Sequence, residues 1–316
     1  GHNAYGQLGD NTNVVKSGPV QEVTGSTSWK LVSGGHYHTT AIKTDGTLWT
    51  WGNNANGQLG NGSTINYSSP IQIGSLTNWK QVCASGFNTF AIKNDGTLWV
   101  WGNNNQGQLG DNTGGTGTHK SSPIQTIAGG TNWKQVCIAT NAFTTAIKTD
   151  GTLWLWGTNS NGELGDNTTT NRSSPVQTVA FGTNWKQVAI GHCQAGAIKT
   201  DGTLWTWGIN GYAQLGNGNT INYSSPIQIG SLTNWSVVST NSLSVAAIKT
   251  NGTLWSWGGF SGSGFNKGQL GVGNTTAYNS PVQIGSSTSW SKIGKGFYNS
   301  FFINTSGQLW ACGYNL

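Results

Sequence analysis

Two short motifs alternate along the whole chain, and their spacing limits the fold more than any other feature. The first, Leu-Trp-x-Trp-Gly, occupies 48–52, 98–102, 153–157, 204–208 and 254–258, and returns in altered form at 309–313. The second, Gly-Gln-Leu-Gly, occupies 6–9, 57–60, 107–110 and 268–271, with Glu163 in the copy at 162–165 and Ala213 opening the copy at 213–216. Six copies of each, 50 to 55 residues apart, make six repeats. A fixed period of this size belongs to propellers and solenoids, in which one supersecondary unit is repeated and buries its faces against its neighbours.

Each repeat is expected to hold four short strands, A to D. In the second, A is expected at 80–84, B at 89–94, C at 96–102 and D at 124–127. Asn94-Asp95-Gly96 joins B to C as a hairpin turn, expected to be of the two-residue kind in which both central residues take positive φ. Asp45-Gly46, Asp150-Gly151, Asp201-Gly202, Asn251-Gly252 and Ser306-Gly307 repeat it. Pro19, Pro70, Pro123, Pro175, Pro226 and Pro281, all the prolines of the chain, are expected to open the D strands. A strand that begins with proline belongs at a sheet edge, so D should be outermost. Residues 19–23 supply a D strand before any A strand, and the last A, B and C strands have no D after them. The expectation is an all-β propeller of six four-stranded antiparallel blades. Its ring would be closed by the N-terminal D strand joining the C-terminal A to C strands, which removes the edges on which sheets aggregate. It is taken as one domain, 1–316, with repeats at about 1–51, 52–101, 102–156, 157–207, 208–257 and 258–316.

The tryptophans follow the same register. Three per repeat would give 18, and the chain has 17, with Cys312 at the remaining position. Trp49 and Trp51, two apart, lie on one strand face. Because both faces of a blade meet neighbours, these rings are read as packing between blades and not as sugar platforms.

Charged residues make up only 8% of the chain, and the net charge is +6. Polarity therefore rests on Asn, Thr, Ser, Gln and 49 glycines, a composition that leans toward an extracellular or virion-surface setting. The cations form no run, and Arg172 is the single arginine. A nucleic-acid surface needs a dense basic stripe, so no specific nucleic-acid partner is expected. Lys30, Lys80, Lys134 and Lys186 follow the first Trp of their repeats. Lys43, Lys93, Lys148, Lys199 and Lys249 precede the hairpin. Both sets are read as solvated. Cys83, Cys137, Cys193 and Cys312 hold repeat positions suited to small apolar side chains, with no metal-ligand spacing; the redox compartment stays open. No apolar run could span a bilayer, so no membrane insertion is expected.

The resemblance carried by these residues can now be named. Gly35-His36-Tyr37-His38-Thr39 between strands A and B, the Asp-Gly hairpins, the Trp-Gly ending strand C and the Gly-Gln-Leu-Gly after it together resemble the regulator of chromosome condensation repeat family, in the style of its bacterial and bacteriophage members. The resemblance covers essentially the whole chain. It implies a propeller of four-stranded blades, usually seven, where this sequence shows six. It also implies either guanine-nucleotide exchange and chromatin binding, as in eukaryotic members, or inhibition of an extracellular enzyme, as in a bacterial one. The basic tail and charged wedge of the exchange factors have no counterpart here.

Within a blade, the A–B turn and C–D loop share one end and the B–C and D–A connections the other. Function is sought in the loops that break the repeat, at 113–120 and 260–267, both of the C–D kind. Thr113, Thr116, His119 and Lys120 in the first, and Phe260, Phe265, Asn266 and Lys267 in the second, are the candidate partner contacts, with Tyr67, Tyr212, Tyr223 and Tyr278 beside them. His36 and His192 share a turn position, but Gly86, Ser242 and Phe297 elsewhere make a ring of metal ligands untenable. Asp10, Asp111 and Asp166 offer one carboxylate per loop, too few for calcium, and are read as Asx-type turns. No nucleophile elbow, phosphate loop or zinc-protease motif is present. The expectation is therefore a binding or structural module with a protein or glycan partner, and no enzyme activity, cofactor or metal. Residues 61–79 and 217–235 match at 18 of 19 positions, read as a duplication of half the repeats.

Overall fold

The computed structural model describes residues 1–140, 142–259, 268–296 and 298–314. Every regular element among them is a strand. The first sheet contains β1 (Trp29–Gly34), β2 (His38–Lys43), β3 (Leu48–Gly52) and β4 (Tyr67–Gln72). The second contains β5 (Trp79–Ser85), β6 (Asn88–Lys93), β7 (Leu98–Gly102) and β8 (Lys120–Gln125); the third β9 (Trp133–Ile138), β10 (Phe143–Lys148), β11 (Leu153–Gly157) and β12 (Arg172–Gln177). The fourth contains β13 (Trp185–Ile190), β14 (Gln194–Lys199), β15 (Leu204–Gly208) and β16 (Tyr223–Gln228); the fifth β17 (Trp235–Thr240), β18 (Ser244–Lys249), β19 (Leu254–Gly258) and β20 (Tyr278–Gln283). The sixth has three strands, β21 (Trp290–Lys295), β22 (Asn299–Asn304) and β23 (Leu309–Gly313). Each sheet is a meander in chain order, paired antiparallel wherever the register is described, as in β5–β6 and β6–β7.

The chain forms two compact units. One takes Gly1–Thr149, Leu155–Thr158 and Asn171–Val176; the other takes Asp150–Trp154, Asn159–Thr170 and Gln177–Leu316. Within each unit, successive sheets pack face to face by one rule. In the first unit, Ile42 and Leu48 of the first sheet meet Trp79, Val82, Ala91 and Trp101 of the second. In the second unit, Ile198 and Leu204 meet Trp235, Val238, Ala247 and Trp257, and Ile248 and Leu254 meet Phe302 in the same way. Period-2 alternation dictates this, because Ile and Leu leave one face of a blade and the paired tryptophans the other.

The tryptophans also join repeats by hydrogen bonds. Nε1 of Trp51, Trp101 and Trp156 donates to the backbone carbonyl of Gln7, Gln58 and Gln108 in the preceding Gly-Gln-Leu-Gly. Trp207 and Trp257 do the same with Glu163 and Gln214. The glycine that follows is fixed by this contact: a Cβ on Gly60 would lie 2.6 Å from Nε1 of Trp101. Cys312, in the sixth position, directs its thiol to the Gln269 carbonyl at 3.7 Å.

Four sequence expectations change. The hairpins are not two-residue turns. The Gly96 amide donates to the Lys93 carbonyl and the Lys93 amide to the Thr97 carbonyl, and Gly96 alone of the turn has positive φ, at 78°. This is a three-residue loop ending in a glycine bulge. Its reason is Asp95, whose carboxylate accepts from the amide and hydroxyl of Thr97 and holds the two residues before glycine right-handed. Second, five of the six prolines sit inside the D strands, and Pro19 lies in no strand. The register between β7 and β8 runs from Val100↔Ile124 to Gly102↔Lys120 with a shift between, which places Pro123 in an edge bulge, where a missing N–H costs no ladder bond.

Third, residues 19–23 form no strand, and the sixth sheet ends at β23 with three strands. The Val23 amide still donates to the Gly9 carbonyl, as Ile127 does to Gly110. The Glu22 carboxylate accepts from the amides of Thr24 and Ser26 and the Thr24 hydroxyl, which fixes the turn that follows. Fourth, packing on both faces does not hold for the first and sixth sheets. Val32 on β1 is 72% exposed and Leu309 on β23 is 66% exposed, whereas Leu48, Leu98, Leu153, Leu204 and Leu254 are buried.

Candidate functional site

The C–D loops are organised by an asparagine that the sequence reading did not single out. Asn104 Oδ1 accepts from the Leu109 amide, and its Nδ2 donates to the Asp111 carboxylate and to the carbonyl and hydroxyl of Thr113. Asn3, Asn54, Asn159 and Asn210 repeat the arrangement on Asp10, Asn61, Asp166 and Asn217. The signal is legible in the chain: an Asn stands five residues before the Leu of Gly-Gln-Leu-Gly in the first five repeats. The Asp residues are Asx turns, as expected. The Thr12 hydroxyl and amide donate to Asp10, which lowers its pKa to about 2, helped by Asn3 and Lys16. Among the described residues no group of three or more potential ligands could hold a metal ion.

The first insertion is built on this hub. Asp111 accepts from the Thr113 amide and hydroxyl and pairs with Lys120 at 3.5 Å. His119 is a structural residue, because its Nδ1 accepts from the Asn104 amide at 3.0 Å, as Asn66 and Asn222 do for Asn54 and Asn210. Lys120 opens β8 opposite Gly102, the place Tyr67, Tyr223 and Tyr278 take in β4, β16 and β20. Thr113 and Thr116 are exposed, as are Gly114 and Gly117, while His119 and Lys120 are half-buried. Phe260, Phe265, Asn266 and Lys267 lie outside the described residues.

Two sequence-picked residues come together. Tyr212 and Tyr278, from successive repeats of the second unit, line one cavity of about 310 Å³ with Thr220 and Asn279. The Tyr278 hydroxyl accepts from Asn274 Nδ2, and Tyr223 takes the same contact from Asn219. The cavity therefore joins aromatic faces to hydroxyl and amide groups at the C–D end of the fourth and fifth sheets. Tyr67 and Tyr223 do not line it.

The histidines and lysines need separate accounts. The His36 ring lies against Tyr37 and edge-on to Phe87. His38 is buried, with Nε2 3.0 Å from the Thr89 hydroxyl. Thr89 gives its own proton to the Gln58 carbonyl, so Nε2 is the donor and Nδ1 carries the lone pair. Burial pushes the His38 pKa down to about 4, with His36 adding repulsion and the Asn88 backbone opposing. Lys30, Lys80, Lys134 and Lys186 are solvated as expected. The other set is not. Nζ of Lys93 lies 4.9 Å and 3.9 Å from the ring centres of Trp79 and Trp99, and Lys43, Lys199 and Lys249 are held likewise between two rings. A lysine opposite the first Trp and beside the second buries its stem between them while its charge meets the π faces. Desolvation lowers the pKa of Lys93, against the pull of Asp95, and of Lys249.

Comparison with known proteins accords with this architecture. The chain is 28% identical over 294 residues to the ultraviolet-B receptor UVR8 of Arabidopsis thaliana, covering 90% of this chain and 65% of UVR8. It is 37% identical over 92 residues to the mitochondrial RCC1 domain-containing protein RUG3 of the same plant, 28% of this chain and 20% of that protein. Among solved structures it is similar to human WBSCR16, with a TM-score of 0.77 at 18% identity over 90% of this chain and 76% of that one. It is also similar to Prp20p of Saccharomyces cerevisiae, with a TM-score of 0.72 at 18% identity over 89% of this chain and 71% of that one. These likenesses place the fold among the β-propellers of this type. The profile of the RCC1-like domain matches residues 1–285, and the chain, whose Trp-Gly strands and Gly-Gln-Leu-Gly turns carry that match, belongs to the RCC1-like domain family.

Proposed function

We propose that this protein is a non-catalytic interaction module that binds a protein or glycan partner through the A–B and C–D loop end of its sheets. The observation that carries the reading is the cavity shared by Tyr212 and Tyr278 with Thr220 and Asn279. Aromatic faces beside hydroxyl and amide groups suit a polar, wet interface. The exposed Thr113 and Thr116, held on the Asn104 hub, extend the same kind of surface in the first unit. Six repeats support counting six blades in one domain, and the 8% charged composition supports a place on a cell or virion surface, in the manner of bacterial and bacteriophage members.

The test combines Tyr212→Ala with Tyr278→Ala, and separately removes 113–120, in glycan-array and whole-cell binding. Loss of binding with unchanged near-ultraviolet circular dichroism supports the reading; binding that survives both changes refutes the choice of loop end. Prp20p is described with binding to Gsp1p and histones. Capture of a small GTPase or of histones by this chain would replace the surface-module reading with the regulatory one.

A further inference from the structure

The sixth sheet carries an amine and a thiol where the other repeats carry neither. The register pairs Lys295 of β21 with Ser300 of β22, and Ser300 with Cys312 of β23. Residues directly opposite one another in an antiparallel sheet share a face, with Cβ atoms about 4.5–5.5 Å apart. Lys295, Ser300 and Cys312 therefore form one row across all three strands. The same row reads Ala84, Thr89 and Trp101 in the second sheet, and Thr240, Val245 and Trp257 in the fifth. No other repeat has a lysine or a cysteine at these places.

Hydrogen bonds draw the amine and the thiol together. The Ser300 hydroxyl gives its proton to the Gln269 carbonyl at 2.7 Å, so its oxygen accepts from Lys295 Nζ at 2.8 Å. The Cys312 thiol turns to the same carbonyl at 3.7 Å. Lys295 and Cys312 are both half-buried, so each keeps access to solvent. No carboxylate neutralises the amine: all nine Asp and Glu residues lie at or before Asp201, and the fifth and sixth sheets contain none. Burial pushes the Lys295 pKa down to about 7, against the pull of Cys312, and burial pushes the Cys312 thiol up, with Lys295 opposing. Near neutral pH much of the amine is thus unprotonated, as a general base or a nucleophile has to be.

We propose that this row is a self-acylation site for small acyl thioesters, with Cys312 as the entry point and Lys295 as the final acceptor. In the first step the Lys295 amine takes the Cys312 proton while the sulfur attacks the thioester carbonyl carbon. A C–S bond forms to Cys312, the C–S bond to the donor thiol breaks, and the Lys295 ammonium returns the proton to the departing thiolate. In the second step the amine attacks the Cys312 thioester. A C–N bond forms, the C–S bond breaks, and an amine proton passes to the Cys312 sulfur. The products are an amide on Lys295, the free Cys312 thiol and the donor's thiol. Ser300 positions the amine, and the shared row makes the second step intramolecular.

The test treats the full chain at neutral pH with S-acetyl-N-acetylcysteamine, and separately with the N-hydroxysuccinimide ester of acetic acid, which acylates amines directly. Peptide mass spectrometry reads acetylation at Lys295 and at the exposed Lys80. In the wild type the preference for Lys295 over Lys80 should be at least about tenfold greater with the thioester than with the ester. Cys312→Ser should slow thioester acetylation of Lys295 by about tenfold or more and leave its reaction with the ester unchanged, which shows the amine still in place. The wild-type comparison needs no variant and so stands apart from any effect on folding. Equal preference with the two reagents, or a Cys312→Ser protein that the thioester acetylates at Lys295 as fast as wild type, overturns the proposal.

Discussion

Lowering the pH should unfold this protein earlier than its carboxylates require, and His38 is the reason. The neutral ring is buried, Nε2–H is spent on Thr89, and a proton on Nδ1 has no buried acceptor to meet. With a folded pKa of about 4 against an ordinary 6.5, the unfolded chain binds the proton more readily throughout that interval. The stability conferred by keeping the ring neutral is thus whole above pH 6.5, falls as the pH drops, and is exhausted near pH 4. Integrating between pH 7.5 and 4.5 gives a loss of about 2–3 kcal/mol, a large share of the ~5–15 kcal/mol that holds a typical domain. The perturbation is His38→Gln, since Gln194 fills the corresponding place in the fourth sheet. Urea unfolding of both proteins at a series of pH values is the assay. The wild type should lose about 2–3 kcal/mol more than the variant between pH 7.5 and 4.5. Superimposable pH profiles would refute the assignment. The carboxylates do not confound it: Asp10, Asp45, Asp95 and Asp201 have lowered values, so their contribution is lost below the His38 window.

Three further outcomes follow from the packing. Trp101→Ala should cost about 3–5 kcal/mol in urea unfolding, whereas Trp101→Phe, which loses chiefly the bond to Gln58, should cost about 1–3 kcal/mol. Lys93→Met should destabilise by about 0.5–2 kcal/mol through the loss of its two ring contacts, while Lys80→Met, on the solvated set, should stay within about 0.5 kcal/mol of wild type. Asn104→Ala should free the loop at 113–120 and speed limited proteolysis there, with Thr116→Ala, an exposed position, as the silent comparison.

Most of the blade was legible because its determinants are local. Alternation in Leu-Trp-x-Trp-Gly sets which side chains share a face, and a Gly preceded by Asp, Asn or Ser marks each hairpin. The turn type escaped because Asp-Gly suits two geometries, and only the Asp95 contact with Thr97 selects between them. The lysine sandwich escaped because it depends on the cross-strand partnering of Lys93 with Trp79, which the sequence does not display. In the candidate site, choosing C–D loops followed from the broken repeat, and Tyr212 and Tyr278 line one cavity. That they share a cavity while Tyr67 and Tyr223 stand apart from it depends on the approach of successive sheets. His119, picked as part of the first insertion, braces its loop by accepting from the Asn104 amide.

The indole bonds from each repeat to the preceding turn also bear on how the chain acquires its structure. Trp101 reaches back 43 residues, Trp207 44 and Trp156 48. Every such link points toward the N-terminus and spans about one repeat. A blade leaving the ribosome therefore already has behind it the carbonyl on which its last tryptophan closes. Loop-closure cost stays nearly constant from one repeat to the next, and domains complete themselves N-terminal first during synthesis. The molecule can assemble vectorially, each blade docking on a finished template.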